Sequence, residues 1–192
     1  MHVDHFMEIG SSHKVCEDYI LSGMDPVPHV ILADGCSSSE NTDVGARLLC
    51  YVAKQYLNVH LKAGIDLNWE TAGRVIIHET EEIAWNMGLN ANALDATLIM
   101  AWVEDNFIRV FMYGDGHIIF MRKTDVEECS VYHQETNFRS NAPYYLSYSL
   151  DSEKRKQYED LFGIKDGKNI TQYIKTGSIW NFDYDYDFSA DK

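Results

Sequence analysis

The chain has 192 residues, 45% of them hydrophobic, with 30 acidic side chains against 16 basic ones and a formal net charge of −14. That length and apolar content suit one globular domain with a real core, and that charge excludes a surface built to grip the phosphate backbone of nucleic acid. No run of 18 apolar residues occurs, so no segment is expected to span a membrane.

Taken in chain order, residues 3–10 read as a first short strand, with neither the basic start nor the apolar centre of a secretion signal. Residues 18–22 read as a second strand, and Pro26 and Pro28 mark a turn. His29-Val30-Ile31-Leu32-Ala33 is a compact apolar run that stops at Asp34-Gly35, the pattern of a buried strand with a polar tip. Residues 36–43 form a loop of small side chains, and Thr42 or Asp43 is placed to cap a helix. Val44, Leu48, Leu49, Val52, Tyr56 and Val59 then recur at helical spacing up to Gly64. A second helix follows Asn68, with Trp69, Ala72, Ile76, Ile83 and Met87 on one face and Gly88 as its stop.

The period then changes. Residues 96–103, 107–113 and 117–122 read as three strands joined by turns at 104–106 and at Gly114-Asp115-Gly116, most simply two adjacent hairpins. Residues 125–148 look poor in strand pattern, residues 151–162 resemble a charged surface helix closed by Gly163, and the tail from Gly177 is aromatic and acidic. Strands, two helices, then consecutive strands predict an α+β layered fold in a single domain, 1–192, and not a doubly wound parallel sheet.

Cys16, Cys36, Cys50 and Cys129 form no CxxC pair, so free thiols in a cytoplasmic protein are expected. The eight histidines show no clustered ligand spacing, and His78-Glu79 lacks the second histidine of a zinc-protease helix. The carboxylates are more informative. Glu17-Asp18 opens a strand, Asp34-Gly35 closes one, and Asp115 stands between two glycines. Asp-Gly is a common turn dipeptide, and each carboxylate taken singly is more often structural than a ligand. Together, at strand ends, they are oxygen donors suited to Mg²⁺ or Mn²⁺ and not to zinc. An aspartate directly after Val30-Ile31-Leu32-Ala33 is also expected to be partly buried and in need of compensation.

Four stretches carry a family resemblance. They are Gly10-Ser11-Ser12-His13-Lys14-Val15-Cys16-Glu17-Asp18; Val30-Ile31-Leu32-Ala33-Asp34-Gly35 with the helix start at Asp43-Val44-Gly45-Ala46; Ala96-Thr97-Leu98-Ile99; and Ile108 through Gly114-Asp115-Gly116. In this order they resemble the motifs of the type-2C (PPM) metal-dependent serine/threonine phosphatases, closest in wording to a bacterial branch. The resemblance covers about residues 3–123 and implies a four-layer α-β-β-α sandwich, an antiparallel β-sandwich flanked by helix pairs. It implies that Asp34 bridges two Mn²⁺ or Mg²⁺ ions, that the Gly35 carbonyl, Glu17 and Asp18 serve the second, and that Asp115 serves a third, weaker site. It places His13 where the family has a phosphate-binding arginine. The implied reaction is hydrolysis of phosphoserine or phosphothreonine on a phosphoprotein substrate by a metal-activated water, with no covalent enzyme intermediate.

The sequence departs from the family at three points. Cys36 stands where many members have a histidine, His13 replaces arginine, and the later Ser-Asp-Gly and final metal-binding aspartate are absent. The expectation is a fold incomplete at its C-terminus, an incomplete metal site and little turnover by residues 1–192. Two further readings stay open: a non-catalytic binding relative of the same fold, and a hydrolase of small phosphate esters. Substrate identity and oligomeric state are not readable.

Overall fold

The structure is a computed structural model that describes residues 2–11, 13–104, 107–123, 129–138, 140, 142–162, 172–178 and 182–188. The fold is α+β and the chain divides into two compact units, residues 1–113 with 145–152, and residues 114–144 with 153–192. None of the described helices is long and apolar enough to cross a membrane.

The first unit holds a four-stranded antiparallel sheet in the order β1 (Tyr19–Gly23), β2 (His29–Ala33), β3 (Leu98–Glu104), β4 (Phe107–Tyr113). Tyr19 pairs with Ala33, Leu21 with Ile31, and Ile31 with Met100. The two-residue period of a strand sends these odd-numbered residues of β1 and β2 to one face, where Ile31, Ala33, Leu98, Met100 and Trp102 are buried. Helices α1 (Thr42–Ala63) and α2 (Trp69–Asn86) supply the other half of that core with Ala46, Leu49, Cys50, Ala53, Leu57, Ile76 and Ile77. Each fully buried Ile or Leu contributes about 1.5–3 kcal/mol, so this face carries most of the unit's stability.

Several local expectations change. Residues 3–10 form no strand; they run as an exposed segment, with Phe6 80% exposed and the His5 ring hydrogen-bonded to Ser22 Oγ at 2.9 Å. A strand needs a ladder partner, and none reaches this segment. Helix α1 is preceded by Asn41 in the left-handed region (φ 61°) without a side-chain cap, and Thr42 instead donates to the Cys36 carbonyl at 3.2 Å. Val59 is exposed and the buried stripe turns toward Cys50, Ala53 and Leu57, because small residues let the helix sit close to the sheet. The predicted stop at Gly64 and the predicted helix start after Asn68 both hold, and Asn68 proves to cap that helix, accepting from Thr71 N–H at 3.0 Å.

At the start of α2, Trp69 lies 45% exposed and Met87 is exposed at its end, so neither joins the buried face. Trp69 is tethered all the same. Its ring stacks on Tyr113 at 5.1 Å, its Nε1 donates to the Met112 carbonyl at 3.0 Å, and Tyr113 OH donates to the Trp69 carbonyl at 2.6 Å.

The second unit contains another antiparallel sheet, β5 (Gly116–Lys123), β6 (Cys129–Asn137), β7 (Gln172–Ser178) and β8 (Phe182–Phe188), ordered β5-β6-β7-β8. The strands β4 and β5 are therefore not a hairpin. Gly114, at φ 90°, redirects the chain out of the first sheet, and β5 pairs with β6 instead. Strand β6 also lies in the region expected to lack strands. Helix α3 (Ser152–Phe162) matches the expected charged helix, and its Tyr158 donates to the Ala142 carbonyl at 2.8 Å. The expected turn at 105–106 and the stop at Gly163 lie outside the described residues.

Candidate active site

The β1–β2 ladder ends at the pair Tyr19 and Ala33. Continuing the antiparallel register by one and two residues brings Asp18 opposite Asp34 and Glu17 opposite Gly35. The close approach persists there: a Cβ on Gly35 would lie 2.7 Å from the Glu17 carbonyl oxygen and 3.0 Å from Thr42 Cβ. Only glycine fits this crossing, so the tip after β2 and the lead-in to β1 are held together by backbone shape.

Asp34 is exposed, not partly buried as its apolar run suggested. Burial alternates through β2, with His29, Ile31, Ala33 and then Gly35 buried, so Asp34 falls on the face away from α1 and α2. Its backbone is fixed on both sides by Thr97, which is itself buried. Asp34 N–H donates to Thr97 Oγ1 at 3.1 Å, and Thr97 N–H donates to the Asp34 carbonyl at 2.9 Å. The bridge between Gly35 and Ala96 continues the same attachment. Asp34 thus projects from backbone anchored to β1 on one side and to the start of β3 on the other.

His13 joins this group. Its Nδ1 lies 2.9 Å from Glu17 Oε2, so Nδ1 and not Nε2 faces the glutamate. Asp115 sits half-buried in the link before β5 and belongs to the second unit.

The donors of the first unit fit a hard divalent cation in kind: two aspartates, one glutamate and a backbone carbonyl, all oxygen. It is their backbones that run side by side, and the three carboxylates do not form a group with all ligand atoms within 4.8 Å of one another. Like charges oppose a tighter approach, and among the described residues the one His/Cys/Asp/Glu group with all ligand atoms within 4.8 Å of one another is His117, His133 and Glu135.

The sequence profile of the family described as Protein phosphatase 2C matches residues 9–160. The chain belongs to the protein phosphatase 2C family. No curated protein matches it. The matched span contains every candidate residue above, and with family membership come a phosphatase-type activity and the family's general use of divalent metals.

Within this phosphatase domain, the loop behind Asp34-Gly35 is built around a residue that sequence reading missed. Asp95 is buried, and its carboxylate accepts from Ser39 Oγ and from Ser147 Oγ, each at 2.7 Å, while its carbonyl accepts from Cys36 N–H at 2.8 Å. Asp95 positions the 36–39 loop and so the carbonyl of Gly35. The available signal was a lone aspartate between Leu94 and Ala96, too weak without the fold.

Cys36 stands in this loop, half-buried, with its Sγ 3.1 Å from Ser38 Oγ. Burial pushes its thiol up, but hydrogen bonds from Ser38, Tyr145 and Ser39 to the thiolate outweigh that, and its pKa falls below the usual value. Cys50, in the helix–sheet core, is pushed up to about 12 by burial alone. At neutral pH only about 10⁻⁵ of Cys50 is thiolate. Iodoacetamide is therefore expected to label Cys36 in the folded protein while Cys50 stays unmodified until denaturation. Peptide mass spectrometry reads this directly, and equal labelling of the two would contradict the assigned environments.

Proposed function

We propose that this phosphatase hydrolyses phosphoserine and phosphothreonine in proteins, using Mn²⁺ or Mg²⁺ held by Asp34, the Gly35 carbonyl, Glu17 and Asp18. The observation that carries this reading is the antiparallel crossing that sets residues 17–18 against 34–35, with Asp34 anchored through Thr97. When bound, such cations would supply an activated water and offset the phosphate charge during in-line displacement.

The chain's own residues supply position and polarity. Asp34 would hold the cations, from backbone that cannot tilt without breaking its bonds to Thr97. Glu17 is oriented by its hydrogen bond to His13 Nδ1. His13 Nε2, when protonated, donates one hydrogen bond to a phosphate oxygen, where an arginine would donate two. Asp115 is carried as a candidate ligand of a third, weaker cation on the family resemblance alone. The net charge of −14 repels a phosphate dianion from most of the surface, which makes local cation binding a condition for substrate approach.

The test is phosphate release from phosphoserine and phosphothreonine peptides against p-nitrophenyl phosphate, with Mn²⁺, with Mg²⁺ and with EDTA. The expected result is slow but metal-dependent hydrolysis with the higher kcat/KM on the peptides. A higher kcat/KM on the small ester replaces this substrate assignment, and turnover unaffected by EDTA removes the cation role.

A further inference from the structure

We propose that His117, His133 and Glu135 form a binding site for a first-row transition-metal dication of the Zn²⁺, Ni²⁺ or Cu²⁺ class. The site arises from strand register, not from sequence spacing. In the β5–β6 ladder His117 pairs with Glu135, and Ile119 pairs with His133. The two-residue period then places His117 on one side of β5 and both His133 and Glu135 on the same side of β6, as direct and diagonal neighbours. His117 Nδ1 lies 3.0 Å from His133 Nε2, and the two rings stack with centroids 5.2 Å apart at 21°. The ligand atoms of all three residues lie within 4.8 Å of one another.

These distances suit a shared ion. Two nitrogens each ~2.1 Å from one metal are ~3.0 Å apart at a right-angled bite and ~3.4 Å apart at a tetrahedral one. Two imidazoles with one carboxylate select Zn²⁺, Ni²⁺ or Cu²⁺ over Mg²⁺ and Mn²⁺, the reverse of the preference of the all-oxygen set around Asp34. His133 and Glu135 are half-buried and His117 is exposed, so three protein ligands leave a coordination position open to water. In the free protein one imidazole N–H donates to the other ring's lone pair. Binding requires both facing nitrogens as lone pairs, so the donating ring moves its proton to its other nitrogen, with no change in its charge. The ladder already holds both strands, so the side chains need little rearrangement.

Calorimetric titration of the tag-free full chain with ZnCl₂, in excess MgCl₂, tests the proposal. One equivalent is expected for the unmodified protein, with affinity lowered more than about 100-fold in His117→Ala and in His133→Ala and retained in Asp34→Asn. A measurement on the unmodified chain removes any dependence on how variants fold: Zn²⁺ is expected to protect His117 and His133, but not exposed His78, from diethylpyrocarbonate. The proposal is overturned if the protein takes up no Zn²⁺, if both alanine variants bind like the parent, or if the reagent modifies His117 and His133 equally with and without the ion.

Discussion

Asp34→Asn is expected to lower kcat/KM on a phosphopeptide by on the order of 10³-fold, about 4 kcal/mol of transition-state stabilisation, while leaving the fold intact. The two parts of that expectation come from different features. Asparagine keeps the backbone bonds to Thr97 at 3.1 and 2.9 Å, and the side chain is exposed, so the unfolding free energy should move by less than about 0.5 kcal/mol. The lost charge is the one assigned to both cations. An amide oxygen donates weakly to a hard cation and does not offset its charge, so both Mn²⁺ affinity and turnover fall together. Calorimetry with Mn²⁺ and steady-state kinetics on the same preparation measure the two effects. A variant that keeps activity within tenfold of the parent would remove Asp34 from the centre of the site.

Gly45→Ala is expected to destabilise the protein by about 3 kcal/mol, at the upper end for an overpacked position. Helix propensity alone argues the other way, since alanine is favoured over glycine within a helix by about 1 kcal/mol. The clash decides the sign. A Cβ at residue 45 would lie 1.6 Å from the Ala93 carbonyl oxygen, 2.6 Å from its carbon and 3.3 Å from Leu94 Cα. These are backbone atoms of the short 3-10 turn Ala91–Leu94, so no side chain can swing aside. Relief requires α1 to lift from that turn, which leads directly into Asp95 and the anchor at Ala96-Thr97. Urea unfolding measures the loss. Gln55→Ala, on the exposed face of the same helix, serves as the reference and should change stability by less than about 0.5 kcal/mol. A Gly45→Ala protein as stable as its parent would show the helix–turn approach to be looser than these distances.

The elements written most clearly in the sequence are those whose signals are local. The apolar run 29–33 with its Asp-Gly tip, the stop at Gly64 and the helix start after Asn68 each depend on chemistry within a few residues. What escaped depends on partners distant in sequence. Strand β6 reads Cys-Ser-Val-Tyr-His-Gln-Glu-Thr-Asn, with little alternation, and is a strand because β5 and β7 pair with it on both sides. Gly114-Asp115-Gly116 has the composition of a tight hairpin turn, and turn chemistry does not say which strands pair. His117 and His133 are 16 residues apart, a spacing that means nothing until the register is known. The exposure of Asp34 was legible in principle from the alternation in β2, but a run of five apolar residues hid the parity. The resemblance marked Glu17, Asp18, Asp34 and Gly35 as a group, and the end of the β1–β2 ladder supplies the reason their backbones run side by side.

The serine clasp on Asp95 has a consequence for how this chain can be divided. One hydroxyl comes from Ser39, before the third strand is made, and the other from Ser147, after two strands of a different sheet have been laid down. A polypeptide cut after Tyr113 would contain all four strands and both helices of the first unit, yet the buried Asp95 would have lost the Ser147 hydroxyl. Losing one hydrogen bond to a buried polar group costs about 1–3 kcal/mol. The clasp that holds the 36–39 loop is therefore complete only when residues 145–152 are present.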